Sequence, residues 1–142
     1  MSQPNPKFRP NADRSIFLND LLGPDLLKKL TPEILRLQAS SHEPITLYID
    51  SFGGNTFYAA ALRGLLRSPN QDGLSCSLIT VATGFAASSA ADLLVAGNYA
   101  IAYQHARVVC HGNRRGDEEI THERALNLAR DLAVSNEEFA IQ

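Results

Sequence analysis

The sequence predicts an α/β fold of repeated βαβ units, with a mainly parallel sheet and flanking helices. Two observations point there. Runs of β-formers alternate with stretches of helical spacing, in the order strand, helix, strand, helix, strand, and Gly, Pro, Asn or Asp marks the changes of period. The chain has 142 residues, 44% of them hydrophobic and 20% charged, which suits one domain with one buried core.

The elements follow in order. Residues 1–14, MSQPNPKFRPNADR, are rich in Pro and Asn and hold no apolar run, so they predict a disordered arm and not a secretory signal. The folded domain is expected over 15–142. Ser15 to Leu18 reads as a short strand. Gly23-Pro24-Asp25 opens a helix with Leu27, Leu30, Ile34 and Leu37 on one face. Pro32 lacks an N–H, so that helix is expected to kink or restart at Thr31-Pro32-Glu33. Ile45 to Ile49 alternates as a strand and ends in Asp50-Ser51-Phe52-Gly53-Gly54-Asn55, and helical spacing returns from Phe57 to Leu66. Ser68 to Gly73 is turn chemistry. Ser75 to Ala82 predicts a buried strand closed by Gly84, and Ala86 to Ala96 an Ala-rich helix capped by Gly97-Asn98. Tyr99 to Tyr103 and Arg107 to His111 predict two further strands. Asp117-Glu118-Glu119 opens a last helix whose apolar phase runs to Phe139 and Ile141 with no cap, and a C-terminal part is expected to be missing.

Composition excludes several classes. Thirteen basic and fifteen acidic residues give a net charge of −2, with no surplus to hold nucleic acid or an anionic membrane. Two cysteines, Cys76 and Cys110, make no disulfide scaffold and favour a reducing compartment. The longest apolar stretch, Ile79 to Ala87, is broken by Thr80, Thr83 and Gly84 and falls short of the ~20 residues of a membrane span. A cytoplasmic location is expected.

Three segments carry chemistry. Gly53-Gly54, between a strand and a helix, serves either a turn of positive φ or the close approach of backbone amides to a ligand. No Gly-Lys-Ser/Thr follows, so it is not a phosphate loop. Thr83 to Asp92 places Ser88 and Ser89 at a strand-to-helix junction, where a serine caps the helix or acts as a nucleophile beside amides that hold an oxyanion. The residues alone do not separate the two serines. His111 ends a strand before Gly112, a position for a general base or for a structural histidine. Its neighbour Cys110 is expected in the core. His105, His111 and His122 show no metal-ligand spacing.

In order and spacing these segments resemble the ClpP family, the proteolytic subunits of ATP-dependent Clp proteases. Ile45-Thr-Leu-Tyr-Ile-Asp-Ser-Phe-Gly-Gly54 resembles its YINSPGG strand and turn. Gly84-Phe-Ala-Ala-Ser88 resembles GQAAS, and Arg107-Val-Val-Cys-His111 resembles SRVMIHQ. The resemblance implies a ClpP/crotonase fold and a serine endopeptidase that hydrolyses unfolded polypeptides inside a self-compartmentalised ring. Ser88 would be the nucleophile and His111 the general base, with the backbone amides of Gly54 and Ser89 as the oxyanion hole. It also implies a double heptameric homo-oligomer, an ATP-driven Clp unfoldase as partner, a substrate-flanking strand near Asn113 to Gly116, and no cofactor. The orienting acid of the family lies beyond Gln142, and neither Asp117 nor Asp131 matches it. Phe52 stands where the motif has proline and Phe85 where it has glutamine. Gly112 replaces the glutamine after the histidine, and the loop at Ser68 to Gly73 is longer than usual.

Three other readings are weaker. A non-catalytic ClpP-like ring subunit would not need both Ser88 and His111. A crotonase-type acyl-CoA enzyme would rely on carboxylates. A signal-peptide peptidase would need a lysine base, and no lysine follows Lys29.

Overall fold

Ile45–Ser51 (β2) is the densest run of β-formers, and the sheet assembles around it. The structure, a computed structural model, describes residues 8–112, 127 and 129–134. β2 pairs with Ser15–Leu18 (β1) on one side and with Leu78–Ala87 (β3) on the other. Tyr99–Ala102 (β4) and Arg107–Val109 (β5) both pair with β3, and every pairing is parallel. The connections between parallel strands are helices Pro24–Ser40 (α1), Thr56–Arg67 (α2) and Ser89–Val95 (α3). The α/β class and the parallel sheet are as the sequence predicts. The core lies between helices and sheet, where Ile16, Leu47, Ile49, Leu30, Ile34 and Leu62 are at most 1% exposed.

Several elements differ from expectation. α1 runs unbroken through Pro32. A mid-helix proline costs ~3 kcal/mol, and the buried stripe Leu26, Leu30, Ile34 and Leu37 spans both sides of it and outweighs that cost. β3 does not stop at Gly84, because it changes neighbours there. It pairs with β4 over Ile79–Ala82 and with β5 over Phe85–Ala87. α3 consequently starts at Ser89, not at Ala86. β5 ends at Val109, short of His111, and Cys110 is exposed while Cys76 is buried. In the turn at Ser68 to Gly73, the Leu74 N–H leads in holding the Asp72 carboxyl below the usual carboxylate range, against its desolvation and with help from His42.

The expected disordered arm also meets structure. Asn11 caps a 3-10 turn at Ala12–Arg14, Phe8 stacks on Tyr99 at 5.1 Å, and Arg14 is 7% exposed. The Arg14 guanidinium donates to the carbonyls of Glu43 (2.8 Å), Ser41 (3.2 Å) and Pro44 (3.3 Å) and to Ser40 Oγ (2.9 Å). A planar fork with five donors fits such a ring of acceptors, and no other side chain supplies that many. Arg14→Ala is expected to cost about 2–4 kcal/mol by leaving those acceptors unpaired, and Arg14→Lys to recover only part of it. Urea denaturation of the three forms checks this.

The last helix predicted from Asp117 lies mostly outside the described residues, although 127 and 129–134 are helical. The chain divides into two compact units, Met1–Cys110 and His111–Gln142.

Candidate active site

A bulge builds the site. Ile49 of β2 faces Ala82 of β3, but Ser51, two residues on, faces Ala86, four residues on. Three residues, Thr83 to Phe85, thus stand opposite Asp50 alone, a surplus of two, and the Asp50 carboxylate lies against Gly84 and Phe85. Its Oδ1 accepts the Phe85 N–H at 2.8 Å. Gly84 carries no side chain because a Cβ there would press into that carboxylate. Bulges of this kind re-aim the chain beside functional groups.

The glycine turn that follows β2 is held by three bonds. Gly53 N–H donates to Ser51 Oγ (3.1 Å), Leu22 N–H to the Gly53 carbonyl (2.9 Å), and Asn55 N–H to the Leu22 carbonyl (3.0 Å). None of them uses the Gly54 amide. Ser51 Oγ in turn donates to the Asp20 carbonyl at 2.7 Å, which ties the turn to the end of β1. Both glycines have positive φ, +97° at Gly53 and +147° at Gly54, so the turn requires them conformationally. Each also admits a close neighbour. A Cβ on Gly54 would lie 2.5 Å from the Leu22 carbonyl oxygen. A Cβ on Gly53 would lie 2.5 Å from the Ala87 carbonyl oxygen, 2.9 Å from Ser88 Cβ and 3.1 Å from the Ser89 amide nitrogen.

The two serines, inseparable from the residues alone, differ sharply here. Ser88 has φ 55° and ψ −129°, and it is the one described residue other than glycine with positive φ. Such a backbone stores ~1–3 kcal/mol and persists where surrounding contacts over-determine it. Those contacts are the Ser88 N–H donating to the Val109 carbonyl (2.8 Å) and its carbonyl accepting from Ala91 (2.9 Å). The Ser88 hydroxyl makes no capping bond to α3. Ser89 is 1% exposed, and its Oγ donates to the Gly54 carbonyl at 3.2 Å. A sharp strand-to-helix turn that presents one serine and buries the next is the geometry of a nucleophile elbow.

The first unit thus brings together Ser88, Ser89, Gly53 and Gly54. His111 begins the second unit and is described there by itself: it is exposed, and its Nδ1 lies 2.6 Å from the Gly112 carbonyl oxygen. A carbonyl only accepts, so Nδ1 is the donor in this contact. Asn113 to Gly116, Asp117 and His122 lie outside the described residues. Among the described residues no group of His, Cys, Asp and Glu could hold a metal ion, and no helix is long and apolar enough to cross a membrane. Sequence reasoning read Gly53 only together with Gly54, as a turn or an approach of amides to a ligand, and assigned no role to Asp50, which is the residue before the last of β2.

Comparison with known proteins bears directly on this arrangement. The family model described as Clp protease matches residues 8–134. This chain belongs to the Clp protease family. It is 31% identical over 134 residues to ATP-dependent Clp protease proteolytic subunit 1 of Mycobacterium tuberculosis, covering 92% of this chain and 60% of that protein. It is 32% identical over 106 residues to proteolytic subunit 2 of Prochlorococcus marinus, covering 72% of this chain and half of that protein. The chain therefore spans about 60% of the length of the mycobacterial relative. A ClpP1 point mutant from Listeria monocytogenes superposes with a TM-score of 0.72 at 17% identity, over 89% of this chain and 67% of the other, and shows the ClpP fold. The motif order at Gly53, Ser88 and His111 is thus carried on a Clp protease scaffold.

Proposed function

We propose that this chain is a ClpP-type serine endopeptidase subunit with Ser88 as nucleophile and His111 as general base. The observation that carries the reading is the positive φ of Ser88 at the β3–α3 junction, with the Gly53 backbone packed against its Cβ. In the proposed reaction His111 Nε2 takes the Ser88 hydroxyl proton as Oγ attacks the peptide carbonyl carbon. The amides of Gly54 and Ser89 receive the oxyanion, and their value is that they are fixed before charge develops. The imidazolium then protonates the leaving amine, and water releases the acyl group by the same steps in reverse. No cofactor enters this chemistry.

Unfolded polypeptide is the proposed substrate, delivered by an ATP-driven Clp unfoldase to a chamber closed by a double heptameric ring in the cytoplasm. The alternative, a subunit that builds the ring without cleaving, retains no use for the strained backbone at Ser88. His111→Ala in the full-length protein is expected to remove peptide hydrolysis by ~10⁴-fold or more. His105→Ala, on the exposed turn between β4 and β5, is expected to retain most of it. A fluorogenic peptide assay on both variants decides between the base and its neighbour, and equal losses would sink the assignment.

A further inference from the structure

Two of the positions at which the motifs here depart from the pattern they resemble touch each other. Phe52 and Phe85 have ring centroids 4.7 Å apart and planes inclined by 33°. Phe52 is 66% exposed and Phe85 39% exposed, so the pair contributes little to the core. Such a tilted aromatic contact gains ~0.5–1.5 kcal/mol beyond the area it buries, yet most of Phe52 still faces water. The pair therefore leaves apolar ring surface open to contact by an apolar group.

Its placement names the partner. Phe52 is covalently joined to Gly53, the residue packed against Ser88 Cβ. Phe85 lies on the strand that ends at Ala87, three residues before Ser88, or about 10 Å at the strand rise of ~3.3 Å per residue. The Phe85 backbone is pinned by the Asp50 carboxylate at 2.8 Å, so the ring is presented by the same bulge that shapes the site. An extended polypeptide lying over Ser88 advances by the same ~3.3 Å per residue. Its side chain two to three residues from the scissile bond therefore falls at the distance of the pair.

We infer that Phe52 and Phe85 form a subsite for one aromatic or large aliphatic side chain of the substrate, two to three residues from the bond that Ser88 attacks. This rests on the proposed peptidase reading and adds a substrate preference to it. An aromatic side chain gains ring contact and desolvation there, while a serine gains neither. The preference expected is on the order of tenfold.

The test uses binding, so that it does not depend on turnover. Fluorescein-labelled Gly/Ser heptapeptides with a single Phe moved from position to position are titrated by anisotropy against the full-length Ser88→Ala protein. One Phe position is expected to bind ~10-fold tighter than the all-Gly/Ser peptide. Adding Phe52→Ser and Phe85→Gln together should bring that preference within about twofold, each change alone should give an intermediate value, and Phe57→Ser should leave it unchanged. Equal affinity for all peptides, or a preference that survives the double change, overturns the subsite. A double change that alters sedimentation but spares the preference assigns the pair to a contact between copies and also overturns it. Fluorophosphonate labelling of the unmodified protein reports separately on Ser88, so loss of the peptidase reading and loss of the subsite are distinguishable.

Discussion

Ser88→Ala in the full-length protein is expected to abolish fluorophosphonate labelling and to lower peptide hydrolysis by a factor on the order of 10⁶, the cost of removing a serine nucleophile. The probe needs an oxygen that can reach phosphorus and a base that takes its proton. Ser89 offers neither access nor freedom, being 1% exposed and bonded to the Gly54 carbonyl. Ser89→Ala should therefore keep labelling, and lose about 1 kcal/mol of stability with one neutral hydrogen bond. A third substitution separates chemistry from strain. Ser88→Gly is as inert as the alanine form but adopts φ 55° without a Cβ penalty. It should be more stable than Ser88→Ala by about 1 kcal/mol in thermal unfolding. Labelling that survives Ser88→Ala, or a glycine form no more stable than the alanine form, would remove the elbow from the account.

Gly53→Ala is expected to lose both labelling and about 2–4 kcal/mol of stability. Two penalties combine there. The backbone stands at φ +97°, which an L side chain rarely adopts. The new methyl would also meet the Ala87 carbonyl oxygen at 2.5 Å and Ser88 Cβ at 2.9 Å, and both are held by the sheet. Relief requires the turn to move away from Ser88, which also displaces the neighbouring Gly54 amide. Gly84→Ala is the control. The atoms nearest its methyl would all belong to the Asp50 carboxylate, the end of a side chain that can swing aside. A cost near 1 kcal/mol is expected for it, from loss of the bond to the Phe85 N–H. Urea denaturation and probe labelling of the two variants measure the contrast, and equal penalties would contradict the packing described.

The alternation of β-forming and helical periods was sufficient to predict a parallel α/β sheet, because a strand buried on both faces and a one-faced helix differ locally in pattern. The motif order around Gly53-Gly54, Ser88 and His111 was equally legible, since each motif is contiguous. What failed were positions decided by distant partners. Pro32 stays inside α1 because the sheet holds the helix on either side of it. β3 passes Gly84 because β5, more than twenty residues later, supplies a new edge. Arg14 is buried because the α1–β2 connection offers it a ring of carbonyls. The choice of Ser88 over Ser89 rested on family resemblance until backbone geometry gave it a physical reason. A positive φ arises from the strand, bulge and helix meeting at one residue, and no local sequence preference encodes that meeting. Residue types and their spacing determined the class of fold and the candidate groups by themselves. Only tertiary structure decided which serine is presented, which glycine admits it, and that Phe52 meets Phe85, because each depends on contacts between segments far apart in the chain.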